Sequence, residues 1–288
     1  MGYSHIEVLP VSGALGAEIQ GVNLARPLGD DIFAELHRAL LDYLVVFFRG
    51  QDMTPRQQIA LGKRFGELDI HPYVAGMPDC PEIIHVIREP EDTGFNFGGD
   101  WHSDVTFQER PALGSILYAE EVPAYGGDTL FANQYLAYET LSDGMKTLLE
   151  GMDALHSASR PYGLHNTRGD RHEYAVNTHS MKVRYSEDAE RMVAHPVVRT
   201  HPETGRKALY VNSAFTHRFQ DMTKAESEPL LKFLIQHAAR MEFTCRFRWE
   251  VGSVAFWDNR CVQHYALNDY AGQRRAMRRV TIAGDRPC

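Results

Sequence analysis

The chain of 288 residues is 43% hydrophobic and carries a formal net charge of −8. Its length allows a substantial core, and its negative balance argues against nucleic-acid or anionic-membrane partners. There is no apolar run of about 18 residues, no basic-then-apolar leader, and no paired spacing among Cys80, Cys245, Cys261 and Cys288; these features point to a protein without a membrane span, with reduced thiols and a cytoplasmic location.

Helical periodicity comes first. Ile32, Phe33, Leu36, Leu40 and Leu41 predict a helix over residues 32–43, with Asp30 or Asp31 as its cap. A second helix is predicted over 55–65, where Thr54 can cap and Pro55 suits the first turn. Short strands follow at 82–87, 115–119 and 129–132. Residues 160–194, charged and containing His165, His172 and His179, have little periodicity and read equally as a functional lid or a solvated loop. A strand at 208–212, a helix over 225–241 and strands at 243–249, 253–257 and 277–283 complete the series. Many short strands separated by turns predict a mainly β jelly roll, a double-stranded β-helix with peripheral helices. No repeat, low-complexity run or linker interrupts it, so 1–288 reads as one domain.

Chemistry concentrates in Trp101-His102-Ser103-Asp104-Val105-Thr106-Phe107. In an extended strand His102 and Asp104 share a face, so both can reach one metal ion. His264 offers a third ligand, and two histidines with one carboxylate form the facial triad of non-haem Fe(II) oxygenases. The pair alone also reads as a hydrogen-bonded histidine and aspartate. Cys261 and His264 have a zinc half-site spacing, but residues three apart on a strand face opposite ways, which places Cys261 in the core with Trp257. Asp258 and Asn259 are expected to shape the turn before His264. Further on, Arg275, Met277 and Arg279 share one strand face, leaving Arg274 and Arg278 to solvent. An inward arginine fork suits the far carboxylate of 2-oxoglutarate, whose keto acid end can chelate iron.

These residues resemble the taurine dioxygenase and phenoxyacetate dioxygenase family of Fe(II)/2-oxoglutarate enzymes. The resemblance covers nearly the whole chain, through Leu15-Gly16-Ala17-Glu18-Ile19-Gln20-Gly21, Val45-Val46-Phe47-Phe48-Arg49-Gly50, Gly126-Gly127-Asp128-Thr129, His195-Pro196-Val197-Val198-Arg199 and Trp257-Asp258-Asn259-Arg260. It implies iron held by His102, Asp104 and His264. Thr129 and Arg275 would bind 2-oxoglutarate, and Arg279 would sit beside the substrate's anionic group. O2 is the other cosubstrate. His71 resembles a substrate-anion histidine, and reads equally as a loop residue. Phe215, Tyr162 and Val105 resemble pocket-lining positions, and each reads equally as core.

The tyrosine and asparagine of taurine-type members correspond to Val74 and Gly98, with Tyr73 and Asn96 close by, which speaks against taurine itself. The block from Gly151 to Ala158 looks closer to aryloxyalkanoate-cleaving members. The expected activity is hydroxylation of a small organic anion, namely a sulfonate, sulfate ester or aryloxyalkanoate, with release of succinate and CO2. A homo-oligomer, dimer or tetramer, is also expected. Two other classes share these ligands. A catalytically silent anion-binding jelly roll is opposed by the intact triad and Arg275. A zinc hydrolase is opposed by the lack of a convincing base near the motif.

Overall fold

A computed structural model describes residues 2–92, 96–164 and 181–288; residues 165–180 of the expected lid, with His165, His172 and His179, lie outside the described residues. The first part of the chain holds β1 (Glu7–Pro10), β2 (Ala17–Gln20), α1 (Asp30–Tyr43), β3 (Val45–Phe48), α2 (Pro55–Phe65), β4 (Leu68–Asp69) and β5 (Ile83–Arg88). The middle holds β6 (Ala112–Glu121), β7 (Thr129–Asn133), α3 (Gln134–Glu139), α4 (Asp143–Leu149), β8 (Asp153–His156), α5 (Ser159–Tyr162), β9 (Val193–Pro196) and β10 (Val198–Thr200). Then come β11 (Lys207–Leu209), β12 (Thr216–Phe219), α6 (Lys224–Ala238), β13 (Thr244–Phe247), β14 (Val254–Asp258), β15 (Val262–Ala266) and β16 (Arg275–Ala283).

The large sheet runs β1-β2-β3-β14-β6-β16-β4, with β5 also on β16, and a smaller sheet runs β13-β7-β15. Phe47, Leu117, Trp257 and Met277 of the first pack against Phe131, Phe247 and Val262 of the second. This sheet-on-sheet core is the jelly roll. The outer face of the large sheet is covered as well: Val46, Ile116, Phe256 and Ile282 pack with Leu36, Leu40 and Leu61 of α1 and α2. Strand β16 is therefore buried on both faces along all but its last residue.

That second layer corrects one expectation. Arg278 does not reach solvent; it is 3% exposed, pairs with Glu120 at 3.1 Å, lies over the Tyr118 ring and donates to the Met53 carbonyl. Arg274 stays half-exposed at the sheet edge, paired with Glu89 and Glu121. Helix α2 starts as expected, with a capping box in which Thr54 and Gln57 satisfy each other's backbone amides. Helix α1 is capped by Gly29 without a side-chain bond, so Asp30 and Asp31 act within the first turn, where the helix dipole favours acids. Helix α6 stops at Ala238, short of residue 241. The four cysteines are unpaired, three of them buried. Among the described residues no helix is long and apolar enough to cross a membrane.

Candidate active site

His264 lies on β15 facing the sheet-on-sheet core, two residues after Val262 and beside the rings of Trp257 and Phe131. Across from it the chain carrying His102 makes an antiparallel bridge: His102 N–H donates to the His264 carbonyl at 3.2 Å, and His264 N–H to the His102 carbonyl at 2.8 Å. The strand expected over 102–104 ends there. Residues 104–107 form a turn in which Val105 takes φ 49°, and the Asp104 N–H leaves the ladder to donate to Asn259 Oδ1 at 3.0 Å. Asp104 reaches the two histidines because the chain turns, not because it stays extended. Its Oδ1 lies 3.7 Å from His102 Nε2 and 3.9 Å from His264 Nε2.

These three side chains are buried, with potential ligand atoms all within 4.8 Å of one another. The His102 Nδ1 lies 2.7 Å from the Asp100 carbonyl, so its ring proton sits there and the Nε2 lone pair faces the cluster. Burial would raise the Asp104 pKa, but Arg279, His264, His102 and Ser115 hold it well below the usual carboxylate range. The His264 pKa is driven well below its ordinary value by burial and by His102. A carboxylate oxygen beside two imidazole nitrogens is the donor set that a divalent metal needs.

His201, Asp258 and Cys261 also come close enough for a metal. There the carboxylate is saturated: Arg260 grips it with Nε at 2.8 Å and Nη2 at 2.7 Å, and His201 Nε2 lies at 3.0 Å. His201 Nδ1 accepts the N–H groups of Glu203 and Thr204. This is a structural knot beneath the β14–β15 turn.

Arg279 donates from Nη1 to Asp104 Oδ1 at 2.8 Å, leaving its buried Nε without a partner among the described residues. The expected substrate residues His71, Val105, Tyr162, Phe215 and Arg279 line one cavity with His102, Asp104, Phe97, Gly98, Asp100, Pro161 and Ala214. His71 Nδ1 accepts the N–H groups of Tyr73 and Val74, both at 3.1 Å. Burial and nearby Arg279 lower its pKa to about 3. His71 is thus neutral with its hydrogen on Nε2, a donor without charge. Val74 is buried and apolar, Tyr73 stacks on Tyr162, and Asn96 spends its amide on Ala266 and Tyr270. The amide and phenol expected for taurine do not line this cavity.

Thr129 and Arg275 meet away from that cavity, around Trp249. Its indole Nε1 donates to Thr129 Oγ1 at 3.0 Å, and its ring lies 5.9 Å from the Arg275 guanidinium carbon. Arg275 is buried with Nε and Nη2 unpartnered among the described residues. Gly127, at φ 70°, makes room for it: a Cβ there would come within 3.3 Å of Arg275 Cδ and Nε. A buried, unpaired guanidinium fork requires an acceptor, and a carboxylate is the natural one. Sequence reasoning finds no role for Trp249 or Ser115. It gives Asn259 the turn before His264 but not the contact with Asp104.

The family model described as taurine catabolism dioxygenase TauD, TfdA family matches residues 7–281. The chain belongs to this family. An alpha-ketoglutarate-dependent sulfate ester dioxygenase of Pseudomonas putida is 37% identical, over 98% of this chain and 91% of its own length. The alpha-ketoglutarate-dependent 2,4-dichlorophenoxyacetate dioxygenase of Cupriavidus pinatubonensis is 32% identical, over 96% and 97%. Among solved structures, a taurine dioxygenase from Burkholderia xenovorans superposes with a TM-score of 0.81 at 37% identity, covering 99% of this chain and 91% of that one. AAD-2 in complex with Mn(II) and N-oxalylglycine gives 0.77 at 29% identity, covering 98% of each. As a TauD/TfdA member the protein is an oxidoreductase, a dioxygenase dependent on 2-oxoglutarate.

Proposed function

We propose that the protein binds Fe(II) through His102, Asp104 and His264 and uses 2-oxoglutarate and O2 to hydroxylate a small organic anion with an apolar body, such as a sulfonate, sulfate ester or aryloxyalkanoate. One observation carries the reading: a single cavity joins two of the three metal-type side chains to one buried arginine, and its remaining wall is largely apolar. Iron and its cosubstrate together supply O2 activation, with one oxygen atom going into succinate, the other into a substrate C–H bond, and CO2 released.

The residues of the chain bind and orient. Arg275 takes the distal carboxylate of 2-oxoglutarate, with Thr129 beside it. Arg279, oriented by its bond to Asp104, offers its free edge to the substrate anion, and the His71 Nε2–H adds a neutral donor. Phe97, Val105, Pro161, Tyr162 and Phe215 exclude water and direct the apolar body. Hydroxylation at the carbon bearing the heteroatom gives a product that fragments to a carbonyl compound and the group on that carbon: sulfite from a sulfonate, sulfate from a sulfate ester, a phenol from an aryloxyalkanoate. The sulfate ester and phenoxyacetate relatives favour substrates larger than taurine, as does the missing polar pair at Val74 and Gly98.

The test measures O2-dependent succinate formation with Fe(II) across sulfonates, alkyl sulfate esters and aryloxyalkanoates, beside metal analysis of wild type and His102→Ala. Stimulation by one of these classes, with loss of iron and succinate in a folded His102→Ala protein, is expected. Near-normal succinate production by His102→Ala, or turnover with Zn(II) in the absence of O2, would overturn the reading.

A further inference from the structure

The carboxylate of Asp104 has two oxygens in different surroundings. Oδ1 faces Arg279 and both imidazoles, while Oδ2 accepts from Ser115 Oγ at 2.7 Å and from Asn259 Nδ2 at 3.4 Å. The Asn259 amide also donates to Ser115 Oγ at 3.1 Å, and its Oδ1 accepts from Asp104 N–H and from Trp257 Nε1, both at 3.0 Å. Turning the amide over would set NH2 against two N–H donors, so its orientation is fixed. All four residues are at most 3% exposed, and the Trp257 ring lies 4.6 Å from that of His264. Behind the amide, the Asp258–Arg260–His201 knot fixes the turn that carries it.

We propose that Asn259 is a positioning residue for the metal centre. It holds Asp104 so that only Oδ1 is presented to the ion, and through Trp257 it sets the wall against which His264 stands. The proposal rests on the metal reading above. The physical argument is one of donor availability. An aspartate whose Oδ2 is engaged by two buried donors binds through one oxygen and leaves neighbouring coordination positions for cosubstrate and O2. Released from those donors, the carboxylate can turn Oδ1 away from the two imidazoles, so that the three ligand atoms no longer converge on one ion.

Co(II) titration of the purified full chain reads metal affinity without turnover. Asn259→Ala is expected to weaken Co(II) binding by about 10- to 100-fold, and Ser115→Ala by a smaller factor in the same direction. Asn259→Asp keeps the acceptor oxygen but replaces the donor with a second carboxylate facing Oδ2, so it should resemble the alanine variant. In Fe(II) assays all three should consume more 2-oxoglutarate per molecule of product. Gly62→Val, which destabilises the fold where α2 packs on the face of β16 opposite to Arg279, serves as control and should bind Co(II) like wild type. If Asn259→Ala fails to fold, Ser115→Ala and Asn259→Asp decide. Wild-type affinity in the folded variants, or equal weakening in Gly62→Val, overturns the proposal. A wild-type chain that binds no Co(II) would instead overturn the metal reading itself.

Discussion

Arg274 and Arg275 are neighbours in sequence with opposite circumstances. Arg274 lies at the sheet edge, where Glu89 and Glu121 neutralise it in partial contact with water. Arg275 is buried with two nitrogens unpartnered among the described residues. Arg275→Ala should raise the 2-oxoglutarate concentration needed for half-maximal succinate formation, equivalent to about 1.5–3 kcal/mol of binding, whereas Arg274→Ala should change it little; equal effects would contradict the assignment. Arg279 differs again, because it bonds Asp104 and also lines the cavity shared with His71, Tyr162 and Phe215. Arg279→Ala leaves Asp104 buried without its cation, a change of about 2–5 kcal/mol for a buried pair. It should weaken the substrate anion far more than 2-oxoglutarate, which separate titrations of the two would check. The inward phase of these arginines was legible from alternation alone. The Arg279–Asp104 bond was not, since no one-dimensional pattern announces a contact between residues so far apart in the chain.

At the level of elements, strand β16 shows where pattern reading stops. Period-two alternation correctly sorts Arg275, Met277 and Arg279 from their neighbours, but it cannot say whether the opposite face meets water. Here α2 lies on that face: Gln58 Nε2 donates to the Ile116 and Arg278 carbonyls at 3.0 and 2.9 Å. Gly62 allows the close approach, since a Cβ there would stand 3.0 Å from both Leu68 Cδ2 and Val280 Cγ1. Gly62→Val should therefore lift α2 off the sheet and destabilise by about 1–3 kcal/mol, read as a lower urea midpoint with an unchanged slope. Helix α2 was legible because its start is spelled out in Thr54-Pro55-Arg56-Gln57. Helices α3 and α4, of six and seven residues, are too short to display a period and were missed. The turn at Asp104 was read as strand because the side-chain amide that captures its N–H lies on a different element.

Over the whole molecule, three histidines outside the site disfavour the charged form: His156 and His195 are buried and His217 is half-buried. Burial and neighbouring cations or imidazoles lower His156 well below its ordinary pKa, lower His195, and bring His217 to about 4. The unfolded chain, with ordinary values near 6.5, binds these protons first. Their contribution to stability is therefore complete above about pH 6.5 and lost as the pH falls towards 4, with a slope of up to about 1.4 kcal/mol per pH unit for each histidine. Urea midpoints should drop between pH 7.5 and 5, and His156→Gln should flatten that drop; an unchanged slope would count against His156 as a contributor. The reciprocal backbone bonds of His102 and His264 have a topological consequence. They join the middle of the chain to a strand near its end. An ion held by both side chains turns that contact into a crosslink, closing a loop of more than half the polypeptide. Melting temperature should then climb with free metal concentration and fall on chelation, so core variants compare with wild type only at one fixed free-metal concentration.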